Sequence, residues 1–89
     1  MTEQPTTVHK SVDIDRLVDF RTRRPLVPGE VLAARLGISH AALSKAESGK
    51  RLLPKRVTWA DYFDRLVELK REAGATDAQL APWIAGVAA

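Results

Sequence analysis

The chain has 89 residues, which suits one small domain, and its 45% hydrophobic and 28% charged residues are ordinary for a globular protein. It contains no cysteine, which excludes disulfides and thiolate metal sites, and His9 and His40 lie far apart with no carboxylates at ligand spacing. The net charge of +3 conceals a polarity: residues 16–56 hold ten Lys/Arg against three acids, and the remainder holds four against eight.

A basic middle between acidic ends suits a polyanionic partner, although a solvated basic surface accounts for the charge equally well. No apolar run reaches the ~18 residues of a membrane span. The start, MTEQPTTVHK, is polar and unlike a signal peptide, so no membrane association and a cytoplasmic location are expected.

Residues 1–11 lack aliphatic periodicity and read as a flexible N-terminal arm. Asp13 caps a first helix, IDRLVDFRTRR, in which Ile14, Leu17, Val18 and Arg21 share one face. Pro25 ends it. Pro28 suits the first turn of a second helix near 29–36, with Val31, Leu32 and Leu36 apolar. Gly37 then interrupts what would be a continuous helical pattern, at a cost of roughly 1 kcal/mol relative to Ala inside a helix. Placed just past a helix end, it is instead a left-handed corner. Ser39 caps a third helix from His40 to about Ser48, whose inner face carries Ala42, Leu43 and Ala46.

After the basic loop KRLLPKRV, Thr58 and Asp61 make a capping-box-like start to a fourth helix ending near Gly74. Its apolar stripe is Trp59, Tyr62, Phe63, Leu66 and Val67, then Lys70, and the aromatics read as core. Asp77 is expected to cap a last short helix that Pro82 kinks or restarts. No strand alternation or repeat is present. The expected fold is all-α, with about five short helices: a helix-turn-helix domain over 12–74 and a C-terminal segment, 75–89. A small core has little room for Leu80, Trp83, Ile84 and Val87, so these are expected to dimerise with a second chain.

Two short helices joined by a three-residue corner have the geometry of a helix-turn-helix, here over about 29–48. Ala33 permits close approach of the helices, and Leu32, Leu36, Ile38 and Leu43 supply buried contacts. The outer face keeps Ser39, His40, Ala41, Ser44, Lys45 and Ser48, none bulky enough to block a groove.

The stretch GEVLAARLGISHAALSKAESGKRLLP resembles the Xre-type helix-turn-helix family of lambda-repressor-like and Cro-like proteins. The family pattern is roughly LAxxLGxSxxxΦSxxExGxRxP, with Φ aliphatic. Leu32-Ala33, Leu36-Gly37, Ser39, Leu43-Ser44, Glu47, Gly49 and Arg51 fall in register, and Pro54 comes slightly late. Gly29 departs from the usual Gln or Thr, Ala46 is smaller than usual, and Leu52-Leu53 lengthen the loop. The resemblance implies that Ser39, His40, Ala41, Ser44 and Lys45 face base edges. It places Gly29, Ser48, Lys50, Arg51, Lys55 and Arg56 at phosphates. It also implies that Glu47 pairs with an arginine of the first helix, for which Arg21 is the candidate.

The function so implied is a sequence-specific double-stranded DNA-binding repressor of plasmid or phage type, possessing no cofactor or small-molecule ligand and acting as a homodimer on a pseudo-palindromic operator. Two rivals remain. One is an antitoxin-type DNA-binding protein whose tail wraps a toxin; the other is a helical interaction module that never touches DNA. No Ser-His-Asp, Cys-His or paired-carboxylate set occurs at usable spacing, so an enzyme is not expected.

Overall fold

The computed structural model describes residues 13–88, with side chains placed through residue 85. The expected arm at 1–11 and the Val87 side chain lie outside the described residues. Five α-helices follow one another, with no strand among the described residues, and the fold is all-α as expected. None of the helices is long and apolar enough to cross a membrane.

Helix α1 spans Ile14–Thr22, and Asp13 Oδ1 accepts from the Arg16 N–H at 3.0 Å. It stops earlier than the expected Arg24, because Arg23 is extended and its N–H closes back on Asp19 and Phe20. Leu17 and Phe20 form its buried face. Phe20 falls outside the Ile14–Leu17–Val18 stripe, yet it lies at the centre of the aromatic packing.

Helix α2, Gly29–Leu36, starts with Pro28 as its cap rather than as its first helical residue. At its other end Gly37 takes φ +76°, and a Cβ there would meet nothing within 4 Å. The requirement for glycine is therefore one of backbone conformation, not of space. The Ile38 N–H reaches the Ala33 carbonyl at 3.0 Å and the Gly37 N–H reaches Ala34 at 3.1 Å. These two bonds satisfy carbonyls that the helix end would otherwise leave bare. Helix α3, His40–Glu47, begins at once, with Ser39 Oγ accepting from the Ala42 N–H at 3.0 Å. The same paired closure ends it: Lys50 N–H bonds Lys45 O at 2.9 Å, and Gly49 N–H bonds Ala46 O at 3.1 Å.

Helix α4, Trp59–Glu72, has the reciprocal capping box, with both Thr58–Asp61 bonds at 3.0 Å. Helix α5, Asp77–Ala88, is capped by Thr76 and not by Asp77: the Thr76 N–H donates to Gln79 Oε1, and the Gln79 N–H to Thr76 Oγ1. It runs through Pro82 without restarting. Proline there, sixth of twelve residues, removes the N–H that would bond the Ala78 carbonyl, and the apolar face of α5 packed on the core outweighs that loss.

The core joins Leu17 and Phe20 to Val27, Leu32, Ala33, Leu43, Tyr62, Leu66, Leu69 and Leu80. Helix α2 packs against both α3 and α4. The C-terminal segment does not wait for a second chain. Leu80 is 1% exposed, Trp83 stacks on Phe20 at 5.0 Å, and Ile84 packs against the same cluster. Leu80 is therefore corrected from a dimerisation residue to a core residue of its own chain, and Trp83 and Ile84 keep part of their surface exposed beside the apolar seat that Phe20 and Phe63 make.

Candidate nucleic-acid interface

Helix α3 presents two unlike faces. Leu43 and Ala46 are buried, whereas Ser39, His40, Ala41, Ser44, Lys45 and Ser48 are exposed. Ala33 and Leu32 are buried where α2 meets α3, and Leu36 and Ile38 are half-buried beside the corner.

The back of α3 is held by a hydrogen-bonded cluster. Arg21 grips the Glu47 carboxylate with two parallel bonds, Nε to Oε2 at 2.7 Å and a terminal nitrogen to Oε1 at 3.0 Å. Its remaining terminal nitrogen donates to the Val27 carbonyl at 3.0 Å. The expected Arg21–Glu47 pair is thus present in bidentate form. The Tyr62 hydroxyl adds a third member, donating to Glu47 Oε2 at 2.5 Å. Burial disfavours the Arg21 charge, but the bond to Glu47 and its charge prevail, and the guanidinium pKa is raised. The Tyr62 phenol is pushed far above its ordinary value, first by burial and then by the Glu47 carboxylate that accepts its proton. Three elements, α1, α4 and the loop before α2, therefore fix one carboxylate at the C-terminal end of α3.

Sequence reasoning reached Arg21 through the family pattern but missed Tyr62, since no local spacing links Tyr62 to Glu47. It also left Lys70 without a role. Lys70 is 1% exposed, and its ammonium donates to the Arg23 carbonyl at 2.6 Å while lying 5.0 Å from the centre of the Phe20 ring. Burial, with the Arg21 charge second, lowers its pKa. A lysine ending an apolar stripe was the signal available for it.

The loop after α3 exposes Lys50, Arg51, Lys55 and Arg56; Arg51 shares a hollow with Lys45, and Arg56 lines another with Leu36, Gly37 and Ile38 at the corner. Among the described residues none of these five has an acid within salt-bridge distance, whereas Arg21, Arg23, Arg35, Arg65 and Arg71 all do. No acid occurs between Ser48 and Ala60.

Two expected site residues sit differently from expectation. Ser48 has its hydroxyl proton committed to the Lys45 carbonyl at 3.1 Å, so it has nothing to offer a phosphate oxygen unless that bond breaks. Ser39 is the converse: its oxygen accepts from Ala42, and its proton stays free. Gly29 is half-buried under His40: a Cβ built on it would come 3.1 Å from His40 Nε2 and 3.6 Å from an Arg21 nitrogen. The imidazole therefore leans from α3 over the N-terminus of α2.

No family model, curated protein or solved structure matches the chain. The functional reading rests on the residues themselves.

Proposed function

We propose that the protein is a sequence-specific double-stranded DNA-binding repressor of the Xre helix-turn-helix type, acting in the cytoplasm by laying α3 in the major groove of an operator. One observation carries this reading. A short helix with a small, polar outward face, locked from behind by Arg21, Glu47 and Tyr62, carries Lys45 and is followed by four exposed loop cations, and none of the five has an acidic partner among the described residues. Cations that serve only solubility are ordinarily interspersed with acids; a run of one sign in the loop that follows an exposed helix face suits phosphates.

In this reading Lys45 donates to guanine O6 and N7, and Ala41 meets a thymine methyl. Ser39 and Ser44 bond base edges. His40, leaning over the start of α2, suits a phosphate better than a base. Lys50, Arg51, Lys55 and Arg56 grip the backbone without reading sequence. Two copies on a pseudo-palindrome, their recognition helices about 34 Å apart, belong to the proposal. Their interface lies outside Leu80, which the core of its own chain already holds.

Fluorescence anisotropy with random-sequence duplexes tests the proposal. Neutralising about six phosphates gives log K a slope of about −5 against log salt. Absence of duplex binding at low salt, or a flat slope, overturns it.

A further inference from the structure

Leu52 is the most exposed large apolar residue among those described, at 64%, and it stands among Lys50, Arg51, Lys55 and Arg56. An isolated surface leucine needs no explanation by itself, but the setting of this one is specific. Its neighbour Leu53 turns inward and packs against the core. Upstream, the Lys50 and Arg51 N–H groups both bond to the Lys45 carbonyl, at 2.9 and 3.3 Å, which ties the start of the loop to α3. Downstream, Pro54 accepts from the Val57 N–H at 2.9 Å. Leu52 is thus held outward on a short, anchored arm. Together with Ser39, Ala41, Lys45 and Arg51 it lines a hollow of about 330 Å³ beside the outward face of α3.

We propose that Leu52 is a sequence-reading residue whose ligand is the C5-methyl group of a thymine in the major groove. This rests on the DNA-binding reading above and adds to it. A leucine has nothing to donate to a phosphate, and four neighbouring cations already suit that task. The hollow it lines is shared with the α3 side chains aimed at base edges, and the thymine methyl is the one apolar group that a base presents there. The loop lengthened at Leu52-Leu53, which sets the chain apart from the family pattern, then presents Leu52 as a second reading element beside α3.

The test uses the full chain and a pool of random duplexes, followed by single thymine-to-uracil replacements in the best-bound sequence. Uracil keeps the base pair and removes only the methyl. Wild type should lose about fourfold in affinity at the thymine that Leu52 meets, the value of taking one carbon group out of water, apart from any loss at the one that Ala41 meets. Leu52→Ala should bind the thymine duplex about fourfold more weakly, be indifferent to that replacement, and keep the wild-type salt slope. The proposal is overturned if Leu52→Ala selects the same sequence and responds to every uracil as wild type does. It is equally overturned if the variant weakens binding to all duplexes alike. Failure of wild type itself to enrich any duplex removes the DNA-binding reading, and this inference with it. Because Leu52 is exposed, an unchanged circular dichroism melt is expected for the variant.

Discussion

Arg21 and Arg35 each hold a glutamate from another helix, in two very different settings. Arg21 meets Glu47 where both side chains are mostly buried, and Tyr62 closes the cluster. Arg35 meets Glu72 at 3.1 Å and Glu68 at 3.6 Å on an open surface, and the bond to Glu72 holds that carboxyl below its usual range. The same two residue types thus build a positioning device on one side of α2 and a screened surface pair on the other. Water decides between them: a buried charge stripped of its partner is costly, whereas an exposed one is rehydrated.

The comparison breaks most visibly at Glu47. Glu47→Ala leaves Arg21 and the Tyr62 hydroxyl unpartnered and should cost about 3 kcal/mol of stability, the low end for breaking a buried pair because both side chains keep some water contact. Urea denaturation measures this. A melt unchanged from wild type would place the cluster with the surface pairs. Tyr62→Phe keeps the ion pair and removes one bond to a charged group, worth about 2 kcal/mol. It also isolates a pH effect. The folded state retains the Tyr62 proton above the ordinary value of 10.0, so this contribution is complete below pH 10 and is lost as pH rises beyond it. Wild type should therefore approach Tyr62→Phe in stability at alkaline pH.

On the DNA side, Lys45→Ala should cost on the order of 1–3 kcal/mol of binding and relax preference at one base pair. Arg51→Ala should weaken all sequences alike and flatten the salt slope by about one. Selection from random duplexes, with anisotropy at several salt concentrations, separates the two. The smallest effect belongs to Arg35→Ala, for which neither the melting temperature nor DNA affinity should move measurably.

What the sequence discloses about this molecule is what short stretches decide alone. The corner at Gly37, the Ser39 cap and the Thr58–Asp61 box are each settled within four residues, and all three occur as read. The α5 cap is equally local: Thr76 with Gln79 three residues on is a stronger signal than Asp77. Placement of the tail is another matter. Whether Leu80 and Trp83 face their own chain or a second one depends on the seat that Phe20 and Phe63 make together, which exists only after α1 and α4 have packed. Tyr62 on Glu47 and Lys70 on Arg23 are similarly products of assembly. The exposed residues of α3 were legible from periodicity and the family pattern, while the leaning of His40 over Gly29 was not.

That lean ties two positions into one steric unit. With no side chain at 29, the imidazole lies close by: a Cβ there would stand 3.1 Å from Nε2, so an alanine shifts the ring by a few tenths of an ångström. Related chains that carry a larger residue at 29 should therefore carry a different side chain, or a different rotamer, at 40. The two sites should change in concert.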